Sequence, residues 1–317
     1  MLLFTRDSGS HKYRLTGERC ENQSHFCCNM LRFIGLVVVS CLLALATSQG
    51  EIDWSQIKPK NKFVPGAGTI GDDVVPHITG GRQASRGQFP WQAALFIDNR
   101  GFCGGSLVTP TLILTAAHCT HGTRSILVFL GSHYVKQNLE STRAIFSSQK
   151  HGSHPNYRAD NRVLDYDFSY VRLPTAATYN NFIKPIRLPK VANVAQTYEG
   201  FRARVSGWGT IADGSTSVSN VLKYADVTVI SNTDCARTFG PAIKPSKICV
   251  ATTGGSGPCN GDSGGPLVVQ ESDRNFTLVG VVSFGSARGC SIGAPAVFTR
   301  ITSYLQDTFL TSQLQQY

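Results

Sequence analysis

A chain of 317 residues with 16% charged side chains and 31 glycines is long enough to bury a sizeable core, and its turn-rich make-up argues against a helical bundle. The formal charge of +10 is scattered rather than clustered: from Ile78 onward, 22 basic and 13 acidic residues leave +9, with no Lys/Arg run and no nucleic-acid-binding motif. A basic protein with no nucleic-acid partner is the expectation.

Residues 1–29 are polar and without period, and read as an N-terminal extension. Met1 and Met30 are the only two methionines, so both are candidate starts, and a start at Met30 leaves 1–29 untranslated. Met30-Leu31-Arg32 opens a 14-residue apolar run, 33–46, that ends in Ala44-Leu45-Ala46. Basic flank, apolar stretch and small-residue end predict a signal peptide over 30–46. The run falls short of the roughly 20 residues a spanning helix needs, so secretion is expected and no stable membrane anchor. An internal signal-anchor is the alternative. Residues 47–77, rich in Pro, Gly, Lys and Asp with Trp54 as the large anchor, read as a propeptide or linker.

Beyond Ile78, short apolar runs alternate with turn signals. Strands are predicted at 92–97, 105–108, 112–116, 126–131 and 168–173, and again at 202–208, 224–230, 247–250, 266–270, 277–284 and 296–300. Two sets of about six strands without helical repeats point to an all-β protein, as barrels or a sandwich. The periodicity of 301–314 predicts a terminal helix. Of the ten cysteines, Cys20, Cys27, Cys28 and Cys41 precede this region and six lie within it. With no CxxC…CxxC pattern they read as disulfides formed in an oxidising compartment, their pairing open.

Chemistry concentrates in Gly261-Asp262-Ser263-Gly264-Gly265-Pro266. Glycines on both sides of Ser263 suit a nucleophile on a tight loop, where the N–H groups of Gly261 and Ser263 point at one spot and stabilise an oxyanion. A serine at its ordinary pKa is a poor nucleophile and needs a base. Thr115-Ala116-Ala117-His118-Cys119 supplies the candidate, His118. A zinc reading of His118/His121 and His151/His154 lacks a convincing helix and a nearby glutamate base, so no metal and no cofactor are expected.

Together these motifs resemble the chymotrypsin-like (trypsin-fold, S1 family) serine proteases, from about Ile78 to the C-terminus. The resemblance implies a peptidase domain over 78–317, built as two six-stranded antiparallel β-barrels with a C-terminal helix and the active site in the cleft between them. It places the link between barrels near 180–200. The third triad member is a buried carboxylate, for which Asp165 and Asp167 compete. The family's Asp directly precedes an apolar–small–apolar strand start, which matches Asp167. The order His118, Asp167, Ser263 is then that of chymotrypsin. Implied disulfides are Cys103–Cys119, Cys235–Cys249 and Cys259–Cys290.

The resemblance also makes Ile78-Thr79-Gly80-Gly81 the N-terminus freed on activation, whose amine pairs with Asp262 and orders the loop around Ser263. His77, after Pro76, stands where most members carry Arg or Lys, so a chymotrypsin-like or other activating protease, or self-cleavage, is implied. Ser283-Phe284-Gly285 matches the segment that pairs with substrate backbone, with Phe284 in place of the usual Trp. Gly257 falls at the expected pocket base, and with Gly285 and Ala296 leaves an apolar slot for Phe, Tyr, Leu or Met. Elastase-like or brachyurin-like preferences are the alternatives, as is a secreted, never-activated binding protein on the same fold. Implied partners are protein and peptide substrates, an activating protease and serpin-type inhibitors. Asn275-Phe276-Thr277 is a glycosylation sequon.

Overall fold

The computed structural model describes residues 52–60, 63–64, 81–159 and 164–316. His77, Ile78, residues 1–29, the proposed signal peptide at 30–46 and the four upstream cysteines lie outside them. Along the chain the strands are β1 (Lys58–Pro59), β2 (Phe63–Val64), β3 (Arg82–Gln83), β4 (Gln92–Ile97), β5 (Gly101–Thr109), β6 (Leu112–Thr115), β7 (Ile126–Leu130), β8 (Ala144–Ser148), β9 (His151–Ser153) and β10 (Ser169–Arg172). There follow β11 (Arg202–Gly207), β12 (Lys223–Ile230), β13 (Lys247–Ala251), β14 (Pro266–Gln270), β15 (Phe276–Ser286) and β16 (Ala296–Arg300).

They form two barrel-like sheets. The first runs β8-β7-β4-β5-β6-β10-β9, with β1 added in parallel to β5. The second runs β11-β14-β15-β16-β13-β12-β3, closes on itself through β11–β12, and takes β2 in parallel to β15. Each therefore holds the six expected antiparallel strands, β4–β8 with β10 and β11–β16, plus short additions.

In β4 and β6 the apolar runs find cover on both faces, while β10 and β12 alternate buried and more exposed positions. Every residue of β4 and β6 is buried. Leu95, Phe96, Phe102, Ile113 and Val128 fill one core, and Val205, Ile248, Leu267, Val279 and Phe298 the other. Strands appear at 92–97, 266–270 and 296–300 with the expected bounds. β5 begins four residues earlier than expected, because Gly104 and Gly105 serve close packing rather than a turn. A Cβ on Gly104 would lie 2.9 Å from the Gly265 Cα, and one on Gly105 2.7 Å from Ile113. β8, half-exposed along its length, carries no long apolar run to announce it.

Among the described residues three helices punctuate the strands: α1 (Ala117–Thr120), α2 (Asn232–Phe239) and α3 (Thr308–Gln315). The predicted terminal helix is broken. A 3-10 turn at Ile301–Tyr304 precedes α3, and Asp307 between them caps the new helix by accepting from the Phe309 N–H at 2.8 Å. Among the described residues three disulfides join Cys103–Cys119, Cys235–Cys249 and Cys259–Cys290. No helix among the described residues is long and apolar enough to cross a membrane.

Candidate active site

β6 runs into buried Ala116 and Ala117, whose small side chains let the single turn of α1 lie directly against the sheet. That turn carries His118, and the Cys103–Cys119 disulfide ties it back to β5. Opposite, Leu164 and Tyr166 adopt positive φ of 49° and 54°, a tight turn that delivers Asp167 to the start of β10. Asp167 is wholly buried and accepts three hydrogen bonds. The His118 backbone N–H reaches Oδ1 at 2.9 Å, ring Nδ1–H reaches Oδ2 at 2.8 Å, and the Ser283 hydroxyl reaches Oδ2 at 2.7 Å. Asp165, the competing carboxylate, points elsewhere and pairs with Lys244.

Burial alone would raise the pKa of Asp167. The His118 ring and its hydrogen bond, the Lys247 ammonium and the Ser283 hydroxyl outweigh it, holding the carboxyl below its ordinary value. An ionised Asp167 fixes the imidazole tautomer with the proton on Nδ1. Nε2 is left buried and without a hydrogen-bond partner among the described residues.

Ser263 sits on the loop before β14. Its carbonyl accepts from the Gly104 N–H at 2.8 Å, and the next N–H, of Gly264, donates to Val282 at 2.8 Å, so both barrels grip the loop. Gly264 has φ +79° and lies so close to Thr115 that any Cβ would overlap its hydroxyl. Gly261 has φ +94°, a conformation that favours glycine. The N–H groups of Gly261 and Ser263 take no acceptor among the described residues.

Asp262 turns away from Ser263 into the interior. Its carboxylate accepts from Gly209 N–H at 2.7 Å and Cys259 N–H at 2.9 Å, in a cradle where a Cβ on Gly207 or Gly209 would overlap it. Burial pushes its pKa up to about 6, and the two N–H groups offset only part of that rise. Below the ordinary value of 3.8 the carboxyl is neutral both folded and unfolded; between there and about 6 only the unfolded chain releases the proton. Stability tied to this group is therefore full below pH 4 and lost as pH rises through 6. With the bond before Ile78 intact, the stability advantage of the wild type over Asp262→Asn is expected to shrink by about 3 kcal/mol from pH 4 to 7, read from urea unfolding at each pH. A pH-independent difference would contradict it.

Beside Ser263 opens a pocket. It is lined by Ser283, Phe284 and Gly285, by Pro258 and Asn260, and by Thr252, Ala294 and Ala296. No charged side chain lines it. Gly285 leaves its wall open, since nothing lies within 4 Å of where a Cβ would stand. The Phe284 ring meets Phe239 of α2 edge-on at 5.5 Å. Gly257 does not reach the lining. The Thr252 methyl lies 2.7 Å from where its Cβ would be, and Thr252, held to the Ala294 carbonyl at 2.6 Å, lines the cavity in its place.

Two further residues were not singled out from sequence. Lys247, wholly buried in β13, donates to the Leu164 carbonyl at 2.5 Å and sits 5.9 Å from the Phe284 ring. Asp213 accepts from the Cys290 N–H at 2.6 Å and so holds the disulfide loop of the pocket. A lysine beside Ile248-Cys249-Val250 reads as a strand edge, and an aspartate in a Gly/Ser loop reads as a turn. His118 has cysteine neighbours close enough to suggest a metal group, but both are locked in a disulfide and offer no thiolate. His154 is occupied structurally, 3.3 Å from Asp307 and stacked on Tyr166.

Comparison with known proteins gives the geometry a context. The family model described as Trypsin matches residues 78–307. Brachyurin of Leptuca pugilator is 40% identical over 228 residues, covering 72% of this chain and 95% of that protein. Chymotrypsin of Phaedon cochleariae is 34% identical over 277 residues, covering 86% and 95%. The solved structure of HL collagenase superimposes with a TM-score of 0.65 at 37% identity, over 75% of this chain and 98% of that one.

Proposed function

This chain belongs to the trypsin family and is a serine endopeptidase acting on protein substrates, and from that premise we propose that Ser263 is the nucleophile, His118 the general base and acid, and Asp167 the carboxylate that orients it. Ser263 Oγ attacks the scissile carbonyl while His118 Nε2 takes its proton. The tetrahedral oxyanion is held by the N–H groups of Gly261 and Ser263, each donor of this kind contributing about 10²–10³ in rate. The protonated His118 then gives its proton to the departing amine, leaving an acyl-enzyme. Water, deprotonated by the same ring, releases the acid. The observation that carries this reading is the His118–Asp167 pair at 2.8 Å, which leaves the buried Nε2 without a partner among the described residues, on a turn whose Cys119 Sγ lies 3.6 Å from the Ser263 carbonyl oxygen.

For the bond cleaved, an uncharged pocket with an open Gly285 wall supports large apolar side chains, Phe, Tyr, Leu or Met, before the scissile bond. Residues 30–46 act as the secretion signal and 47–77 as the propeptide, so the enzyme works outside the cell, where the three disulfides are stable. Cleavage after His77 frees the Ile78 amine to pair with Asp262, whose cradle otherwise holds a costly buried carboxylate. A protease without trypsin's Lys/Arg preference makes that cut, and serpin-type inhibitors complete the partners.

The test is to place a cleavable site before Ile78, cut it, and profile the product on a peptide library. Cleavage after Phe, Tyr or Leu is expected at least about 10-fold faster than after Ala or Val, the scale that a few buried methylenes supply. Faster cleavage after Ala or Val would make the slot shallow, ended by Thr252 and Pro258. No cleavage despite a free Ile78 would sink the triad assignment.

A further inference from the structure

Residues 52–60 and 63–64 fall in a stretch that reads from composition as a propeptide or linker, yet they are anchored on the barrels. Trp54 meets Phe96 of β4 edge-on at 5.4 Å, with the Lys136 ammonium 5.7 Å from its ring. Ile57 is 4% exposed within the first core. From there β1 follows β5: Lys58 N–H donates to the Arg100 carbonyl at 2.7 Å and Lys60 N–H to the Phe102 carbonyl at 3.0 Å. The route leads to the catalytic groups. Lys60 Nζ donates to the Cys119 carbonyl at 3.0 Å, one residue from His118, and the Pro59 Cβ stands 3.2 Å from where a Cβ on Gly261 would be. A few residues later β2 pairs with Gly285 and Ser286 on the rim of the pocket. One short stretch thus touches the first barrel, the oxyanion loop and the pocket edge in turn.

Its direction is what makes it more than a lid. In a cleavable peptide, the residues before the scissile bond lie along Ser283–Gly285, with the last of them in the pocket. On the proposed assignment, those after the bond leave on the other side of Ser263, toward Cys119 and β5, whose Gly104 N–H holds the Ser263 carbonyl. This segment does the reverse, meeting β5 first and Gly285 last, in parallel to β15. An acyl group in the pocket with its amine pointing toward β5 is then impossible for any bond of the segment.

We propose that residues 52–64 are a ligand of the substrate cleft, seated across it backwards, and that the stretch remains a competitive, uncleaved inhibitor after the bond before Ile78 is cut. The proposal rests on the assignment of the cleft as the substrate site. None of the disulfides among the described residues includes the segment, so the cut leaves it held by Trp54, Ile57 and its strand pairings alone. Association is then concentration-dependent, and dilution releases the enzyme.

The test uses the full chain with an engineered site before Ile78. After cleavage the segment is expected to co-elute with the enzyme at micromolar concentration, and activity per molecule to rise on dilution. A synthetic 52–64 peptide should raise KM without changing kcat, be recovered intact by mass spectrometry, and lose at least about 10-fold in potency with Trp54→Ala or Ile57→Ala. Three outcomes would overturn the proposal: no binding, a lowered kcat at constant KM, or cleavage of the peptide, which means forward seating. Fluorescence anisotropy of labelled peptide exchanging into the cut Ser263→Ala chain needs no turnover. Binding there that is blocked by filling the rim with Gly285→Trp supports the backward ligand even if the peptidase assignment fails; binding indifferent to that change overturns it.

Discussion

Ser263→Ala is expected to lower kcat by about 10⁶-fold, the loss seen when the nucleophile of such a triad is removed. The loop holding Ser263 is fixed by backbone, through Gly104 N–H to the Ser263 carbonyl and Gly264 N–H to Val282, so alanine costs the hydroxyl and little else. Unfolding stability should therefore stay within about 1 kcal/mol of wild type, as for substitutions that touch no packing. The residual rate, about 10³–10⁴ above water, is what oxyanion donors and binding supply without a nucleophile. Burst kinetics on an activated ester, with loss of fluorophosphonate labelling, check both parts. A fall of less than 100-fold would assign the attack to another group.

Asp167→Asn is expected to cost about 10⁴-fold in kcat with KM nearly unchanged. Asp167 accepts from three donors, and an amide has an acceptor on one side only. If its oxygen keeps the His118 backbone N–H, its NH₂ faces Nδ1, which must then accept. The ring proton moves to Nε2, the atom that has to receive one from Ser263. The wild-type carboxyl, held below its ordinary 3.8, adds stability above that pH that is lost as pH falls through its lowered value. Asp167→Asn should remove this acid-side slope along with activity. A variant within 10-fold of wild type would mean that Asp167 is structural.

Much of the fold was legible because apolar runs bounded by turns become strands wherever both faces are covered, as at 92–97, 266–270 and 296–300. Composition misled where glycine serves close packing rather than turning, so that β5 was cut short at Gly101–Gly104. The α2 helix carried a signal that was passed over: the Ser231 hydroxyl accepts from the Asp234 N–H at 2.9 Å, an N-cap followed by an acid in the first turn. Of the site, the serine and histidine loops stand out because their glycines and alanines answer to local geometry. The pocket end did not, because whether Gly257 or Thr252 faces the cavity depends on how two loops pack. Residues 52–64 look like a linker for the same reason, since the partner of Trp54 is Phe96, far away in sequence.

The proposed chemistry is divided between the barrels: His118 and Asp167 belong to the first sheet, Ser263 and the pocket to the second. Hydrogen bonds cross the joint between them, Ser206 donating to Gln92 at 2.6 Å and Ser283 to Asp167 at 2.7 Å. Neither half alone possesses a reaction. Hydrolysis of a peptide is therefore a gauge of how well the halves are mated, more sensitive than any spectroscopic measure of their strands. The enzyme is in this sense a coincidence detector, silent until two surfaces agree on the position of one proton.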